Sequence, residues 1–176
     1  MKEKEKLQLI NEVNILRELK HENIVRYHDK IIDRKNLTIY IIMEYCPGGD
    51  LGQLIKKCKN SNMYIPEDFI WQIFTQVILA LFECHKRKDN KIILHRDLKP
   101  SNIFLDEHQC AKLGDFGFAK AISNQSMYAH TYLGTPFYMS PEQINESEYN
   151  DKSDIWSLGC IIYEMASLVP PFQAEN

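Results

Sequence analysis

Hydrophobic residues three or four positions apart mark the first element of the chain. Within residues 5–20, Leu9, Val13 and Leu16 recur at helical spacing, and lysines and glutamates lie around them. This spacing gathers the apolar side chains on one face of a helix and leaves the charges on the other. The pattern therefore predicts an amphipathic helix.

β-Forming residues dominate the next part of the chain. Residues 24–32 and 37–44 are rich in isoleucine and tyrosine, and the polar segment 33–36 separates them. Two such runs joined by a short polar turn predict a β-hairpin. The pattern ends at Pro47, where two glycines follow and predict the start of a linker.

Helices and short strands are predicted to alternate after this linker. Asp50 can cap a short helix over residues 51–59. Pro66, followed by two acidic residues, begins a long predicted helix that runs to about Arg87, because proline and acids favour the first helical turn. Short β-forming runs predict strands at residues 92–94, 103–105 and 110–113.

The last predicted helix, residues 153–167, follows a long polar stretch at 118–140. Its central part, 155–163, is apolar on nearly every face, which predicts burial on all sides. Few residues remain between this helix and Asn176 to cover it. We therefore expect that the chain is cut short at this end.

Composition indicates one ordinary globular domain. The chain has 176 residues, 44% of them hydrophobic and 26% charged, with a net charge of −3. This charge predicts no broad attraction to nucleic acid or membranes, and no apolar run approaches the roughly 18 residues of a membrane span. The charged start, residues 1–6, does not resemble a secretory signal. Five cysteines without a CxxC pair predict reduced thiols in the cytosol or nucleus.

Three motifs in the second half of the chain carry candidate chemistry. They are HRDLKPSN at 95–102, DFG at 115–117 and SPE at 140–142. Phosphoryl transfer needs little covalent chemistry from a protein, so side chains mainly supply position and charge. Asp97 can accept or orient the proton of an acceptor hydroxyl, and Lys99 can offset charge near the transferred phosphate.

Oxygen ligands for a hard cation occur in two of these motifs. Asn102 and Asp115 lie on separate predicted loops and suit Mg²⁺. Gly114 and Gly117 flank the DFG aspartate and let the backbone turn sharply beside it. The alternative is that these are ordinary loop residues and that Asp97 is a solvated turn acid.

In this order, and followed by SDIWSLG at 153–159, the motifs resemble those of the eukaryotic protein kinases. The resemblance covers nearly the whole chain and implies an α+β, two-lobed fold that uses ATP and Mg²⁺. It makes residues 1–45 the remainder of the small lobe, with the family's C helix and its fourth and fifth strands. Residues 46–176 become the mainly helical large lobe through the family's F helix.

The resemblance also implies nucleotide contacts in the first half of the chain. Glu12 matches the helix glutamate that pairs with a strand lysine in kinases, although the residues alone favour a solvated helix face. Met43 matches the gatekeeper residue. The backbone of Glu44 and Cys46 matches the segment that hydrogen-bonds adenine.

Further matches are open to two interpretations each. Asp50 aligns with a position that often contacts ribose, or it caps a helix. Phe104 aligns with the floor of the adenine pocket, or it is a strand core residue. Tyr27 aligns with a tyrosine that can turn inward and block activity, or it is an ordinary half-buried strand residue. A stack that joins the two lobes in the family is matched by Leu16, Tyr27, His95 and Phe116.

Within the kinases, the chain is similar to the NIMA-related mitotic kinases. The similar segments are residues 19–27, 43–51, 83–85 and 134–142. Lys99 and Gly134-Thr135 imply serine/threonine acceptors, since tyrosine kinases differ at both places. Phe118 favours serine in the family, or it serves core packing alone.

Regulation is implied for the stretch between DFG and SPE. A phosphate on Thr131 would add about −1.5 to −2 charge and could join Arg96 and Lys120, or Thr131 is an unmodified loop residue. Ser126 is a weaker second phosphorylation site. Thr135 matches the threonine whose hydroxyl helps to hold Asp97 and Lys99 in the family.

The chain departs from the family pattern at both ends. None of its seven glycines stands in a G-x-G-x-x-G spacing, no strand lysine precedes Glu12, and the arginine that usually pairs with Glu142 is absent. We expect a fragment that is inactive by itself, or alternatively a pseudokinase that acts as a binding module. The expected partners are protein substrates, with dimerisation only through regions outside this chain. The expected location is the cytoplasm, including the centrosome, or the nucleus.

Overall fold

The computed structural model describes residues 16–33, 35–36, 38–85, 92–116, 120–122, 137–145 and 149–173. The strands are β1 (Tyr27–Asp33), β2 (Thr38–Met43), β3 (Ile92–Leu94), β4 (Ile103–Leu105), β5 (Ala111–Leu113) and β6 (Lys120–Ile122). The helices are α1 (Leu51–Asn60), α2 (Glu67–His85), α3 (Pro141–Ile144) and α4 (Asp151–Ser167), with a 3₁₀ turn at Pro100–Asn102. The expected mixed α+β class is confirmed. None of the helices in these segments has the length and apolar character needed to cross a membrane.

The predicted hairpin is confirmed, but its first strand begins later than the sequence indicated. β1 and β2 pair in antiparallel register from Asp33–Thr38 to Tyr27–Met43. The preceding residues pair elsewhere: Val25 N donates to Leu113 O at 2.9 Å, and Leu113 N donates to Asn23 O at 2.8 Å. This exchange joins the base of the hairpin to β5.

A single apolar core lies beneath the two-stranded sheets. α2 contributes the buried face of Ile73, Val77 and Leu81, which recur at intervals of four residues. The face contacts α4 and β5. Further fully buried side chains come from the short strands, namely Ile93, Leu94, Ile103, Leu105 and Leu113.

The last predicted helix, α4, is buried on one face only, although its apolar pattern suits burial on every side. One face of α4 is buried through Leu158, Ile161 and Met165. The opposite face is open to solvent, and Tyr163 is 52% exposed. Trp156 on that face stacks on Phe172, with the ring centroids 5.6 Å apart. The apolar pattern of α4 therefore does not predict which faces of the helix other parts of the chain cover.

β6 is an element that the sequence pattern missed. It lies inside the stretch predicted to be polar and irregular, and it pairs with β3 in antiparallel register. Three residues are too short a run to show a strand period, so the pairing depends on a distant partner. α3, by contrast, is stabilised locally, because Ser140 and Gln143 form a reciprocal capping box.

One buried carboxylate organises the segment that follows β3. Asp154 in α4 is 0% exposed. Its Oδ2 accepts hydrogen bonds from His95 N at 3.0 Å and His85 Nε2 at 2.8 Å. Its Oδ1 accepts from Arg96 N at 3.1 Å and from the hydroxyl of Tyr149. Both oxygens are therefore saturated with donors, which is the condition under which a buried charge is tolerated.

These donors determine the ionisation of the carboxylate. Burial alone would raise the pKa of Asp154, but hydrogen bonds from His85, His95 and Tyr149 favour the charged form and leave the pKa lower than usual. A carboxyl whose pKa falls on folding stabilises the fold above its unfolded value and loses that contribution as pH drops. The stabilisation should hold at neutral pH and disappear on acidification below about pH 4.

We predict that Asp154→Asn lowers the free energy of unfolding by about 2–5 kcal/mol. The asparagine amide nitrogen would place N–H groups against neighbours that are themselves hydrogen-bond donors. Urea denaturation at neutral pH measures this loss. On acidification, the free energy of unfolding should also fall less steeply in the variant than in the wild type. Asp151→Asn, on the exposed start of the same helix, is the matched control and should change stability little. Equal stability of Asp154→Asn and wild type would contradict the assignment.

Candidate active site

The HRD segment is held in an unusual backbone conformation. Arg96 has a φ of 70°, which a residue with a side chain rarely adopts. The backbone N–H groups of Arg96 and His95 both donate hydrogen bonds to the Asp154 carboxylate. The buried His95 ring bonds Gly114 O through Nε2 at 2.9 Å and lies 5.0 Å from the ring of Phe116. The segment is therefore tied both to α4 and to the DFG backbone.

Asp97, Lys99 and Asn102 come together in one cluster, as the motif predicts. Lys99 Nζ lies 2.6 Å from Asp97 Oδ2. Asn102 Nδ2 donates to the same oxygen at 3.1 Å and to Asp97 O at 2.8 Å. Both donors use Oδ2, and among the described residues no hydrogen bond reaches the other carboxylate oxygen, Oδ1. The Asp97 side chain is 27% exposed and so remains accessible.

The two predicted cation ligands lie at the ends of adjoining segments. Gly114 N donates to Asn102 O at 3.0 Å, which places the residue before Asp115 against the 3₁₀ turn. Asp115 has a φ of 55° and is exposed. The Asn102 amide nitrogen is engaged by Asp97, so its oxygen can face a cation. One carboxylate and one amide oxygen suit Mg²⁺, which completes its shell with phosphates and water.

A glycine is required where Phe104 approaches the DFG segment. A Cβ at Gly114 would lie 2.8 Å from Phe104 Cε2 and 3.0 Å from Val25 Cγ2. Both distances are too short for carbon atoms, so any side chain here would displace the ring. Phe104 is partly buried in β4, and its role as the floor of an adenine pocket remains a prediction.

The predicted hinge follows β2 directly. Met43 ends that strand and is 44% exposed. Glu44 N donates to Arg26 O at 2.8 Å, and Gly49 N donates to Cys46 O at 3.3 Å. Within the described segments, the Glu44 carbonyl and the Cys46 N–H make no backbone hydrogen bond. Both groups are therefore open to a ligand, as adenine recognition would need.

Asp50 acts as a helix cap, as one of its two interpretations predicts. Its Oδ1 accepts from Gln53 N at 2.9 Å and caps α1. The adjoining backbone is anchored, since Leu105 N donates to Gly49 O at 2.9 Å. Its Oδ2 accepts from Gln53 Nε2 at 2.5 Å, so a ribose would have to share or replace that bond, and the ribose contact remains a prediction.

Of the remaining predicted residues, the structure describes Arg96 and Tyr27 but not the others. Arg96 places its guanidinium 5.4 Å from the centroid of the Tyr149 ring, and its Nε is buried without a hydrogen-bond partner in the described part of the chain. Burial lowers the pKa of Arg96, against the opposing influence of Tyr149 and Asp154. Tyr27 is partly buried against the core. Outside the described residues lie Glu12, Thr131, Thr135, Ser126, Phe118 and the side chain of Lys120.

Sequence reasoning missed the residues that support the cluster from behind. Asp154 stands inside the SDIWSLG motif, so its role could have been inferred from the single acid in an otherwise apolar run. No sequence pattern identified His85 or Tyr149, because their shared partner, Asp154, lies in a different element, and for His85 also far along the chain. Nor did any pattern identify Lys112, although it forms an ion pair with Glu44 at 2.7 Å.

Comparison with known proteins supports the same interpretation. The family model described as "Protein kinase domain" matches residues 1–176. The chain is 62% identical over 176 residues to "Probable serine/threonine-protein kinase nek2" of Dictyostelium discoideum, covering all of this chain and 42% of that protein. It is 57% identical over 175 residues to "Serine/threonine-protein kinase Nek2" of Homo sapiens, covering 99% of this chain and 39% of that protein.

A more distant relative carries a cell-cycle name. "G2-specific protein kinase fin1" of Schizosaccharomyces pombe is 43% identical over 187 residues, covering 98% of this chain and 26% of the relative. The chain thus spans about two fifths or less of the length of these relatives. The match across all its residues shows that the chain belongs to the protein kinase domain family, within which it is related to the NIMA-related serine/threonine kinases.

Proposed function

We propose that the protein containing this chain transfers the γ-phosphoryl group of Mg-ATP to serine or threonine of protein substrates. The observation that carries the proposal is the cluster of Asp97, Lys99 and Asn102, joined through the Asn102 backbone to the segment that ends in Asp115. Phosphoryl transfer requires a base or orienting acid, a cation near the phosphate and metal ligands in one place. This cluster supplies all three.

Each side chain has a distinct part in the proposed reaction. Asp97 Oδ1 receives the acceptor hydroxyl and orients its proton, while Lys99 and Asn102 hold Oδ2. Lys99 also offers positive charge to the transferred phosphate. Asn102 and Asp115 would hold Mg²⁺, which when bound neutralises charge on the phosphates. The backbone of Glu44 and Cys46 would position adenine, above Phe104.

The biological setting is proposed from the relatives. Their names describe serine/threonine kinases and, in one case, a G2-specific kinase. We infer a role in cell-cycle regulation, with a cytoplasmic, centrosomal or nuclear location. Residues 1–45 would belong to the small lobe and 46–176 to the large lobe. Any dimerisation would use regions outside this chain, and the substrates would be proteins.

Activation by phosphorylation is proposed for Thr131. Arg96 directly precedes the catalytic aspartate and has a half-buried guanidinium whose Nε lacks a hydrogen-bond partner in the described part of the chain. A phosphate on Thr131 would form charge-assisted hydrogen bonds with the Arg96 guanidinium and order the segment between DFG and SPE. Lys120, at the start of β6, would supply a second cation.

In the full-length protein, we predict that Asp97→Asn lowers kcat by about 10²–10⁴-fold, because the acceptor hydroxyl loses its orienting carboxylate. The nucleotide should still bind, since Asp97 does not contact adenine. Transfer of labelled phosphate to casein gives the rate, and calorimetry gives the affinity. Asp68→Asn, on the exposed first turn of α2, is the control. Wild-type turnover by Asp97→Asn would exclude this role, whereas absence of transfer by the wild-type protein would favour a binding module.

For the regulatory site, we predict that Thr131→Ala lowers the activity of the full-length protein about tenfold or more, because the loop loses its charge-assisted hydrogen bonds. Phosphatase treatment of the wild type should give the same loss, and phosphopeptide mapping should find phosphate on Thr131. Ser126→Ala serves as the comparison. If Thr131→Ala retains full activity, the proposed switch does not exist.

A further inference from the structure

The Glu44 side chain completes a hydrogen-bond pattern that strand pairing leaves open. Glu44 N donates to Arg26 O at 2.8 Å, and Arg26 N donates back to Glu44 Oε2 at 3.0 Å. A carboxylate oxygen therefore takes the place that a backbone carbonyl would have in a ladder. The register of β1 and β2 shifts just beyond this point, between Tyr27 and Asp29. The side chain thus fixes the position of the hinge against the base of β1.

The second carboxylate oxygen reaches the other side of the hinge. Glu44 Oε1 lies 2.7 Å from Lys112 Nζ. Lys112 is the central residue of β5, directly opposite Phe104 in β4, so the two side chains share one face of that sheet. Gly114 and Asp115 follow this strand. One carboxylate thereby connects the hinge to the strand that leads to the metal ligand.

The Glu44–Lys112 pair is partly buried and better shielded from water than the surface pair formed by Lys152 and Asp151. The Lys112 side chain is 15% exposed and that of Glu44 26%, against 76% and 37% for Lys152 and Asp151 in a surface pair. Among the lysine ion pairs of the described segments, this lysine is the most buried. Solvent and salt screen such a pair less than an exposed one, so it can hold a fixed geometry.

Electrostatics favour the charged form of both partners. Burial opposes ionisation, but the hydrogen bonds to Lys112 and Arg26 leave the pKa of Glu44 below its ordinary value. Burial likewise lowers the pKa of Lys112, and the bond to Glu44 outweighs it and leaves that pKa raised. The Cys46 thiol lies in the same field, where burial and then Glu44 raise its pKa. The pair therefore persists around neutral pH.

We propose that Glu44 and Lys112 act as a positioning pair that holds the hinge in register with the strand leading to Asp115. This inference rests on the proposed kinase function and adds two side chains that do not touch the reacting atoms. Through the pair, the backbone groups of Glu44 and Cys46 keep a fixed distance from Phe104 and from the metal ligand. Adenine and the phosphates are then presented together, which lowers the cost of binding the nucleotide.

The proposal predicts an effect on nucleotide binding rather than on turnover. In the full-length protein, Lys112→Met and Glu44→Gln should each raise the KM for ATP roughly three- to tenfold, because a partly exposed charged pair is lost. For Lys112→Met, kcat should stay within about twofold, since the Asp97 cluster is untouched. Lys112→Arg should keep the pair and the wild-type KM.

A double-mutant cycle separates the pair from two independent effects. Combining Lys112→Met with Glu44→Gln should raise KM no further than the worse single change. Calorimetry with Mg²⁺ and a non-hydrolysable ATP analogue should show the same loss of affinity. Lys152→Met, which breaks the exposed pair, is the matched control and should leave KM unchanged.

Two outcomes would overturn the positioning pair. An unchanged KM in Lys112→Met, or additive effects in the double variant, would mean that the contact positions nothing. A fall in melting temperature with a proportional loss of kcat in all variants, Lys112→Arg included, would mean a structural role alone. Failure of the proposed function is distinguishable, because the wild type would then neither bind the analogue nor phosphorylate casein.

Discussion

The structure depends on one carboxylate that accepts two backbone hydrogen bonds from the HRD segment. Asp154 sits in the core with both oxygens saturated, and it holds His95 and the left-handed Arg96 in place. The strain of Arg96 persists because these bonds over-determine its conformation. The residue that follows, Asp97, is thereby directed toward Lys99 and Asn102. A helix that contributes nothing to the proposed chemistry thus determines where the chemistry can occur.

A second set of contacts connects the parts that would bind nucleotide. His95 Nε2 bonds Gly114 O, and Leu113 pairs with the segment before β1, so the backbone that leads into DFG is attached to two other parts of the chain. Glu44 and Lys112 extend this connection to the hinge. Each contact is a single short hydrogen bond or ion pair, yet together they would set the distance from the proposed adenine site to the proposed metal site. Preorganisation of this kind is the main contribution that a protein can make to phosphoryl transfer.

The sequence predicted the elements and the clustering of the motif residues better than the contacts that support them. The hairpin, α2 and the short strands follow from periodicity and turn residues, and Asp97 and Asn102 follow from motif order. β6 and the late start of β1 could not be predicted, because both result from pairing with distant segments. The same holds for Lys112, whose partner is far along the chain. The exposed face of α4 shows that apolar content alone does not report which neighbours are present.

Amide hydrogen exchange at His95 and Arg96 tests the central claim most directly. If Asp154 accepts both N–H groups in the buried site, these two amides should exchange as slowly as the core amides of α2, although they lie in an irregular segment. The exposed turn at residues 107–108 gives the reference for fast exchange. Exchange of His95 and Arg96 at the rate of that turn would contradict the account, because the carboxylate would then not hold the segment.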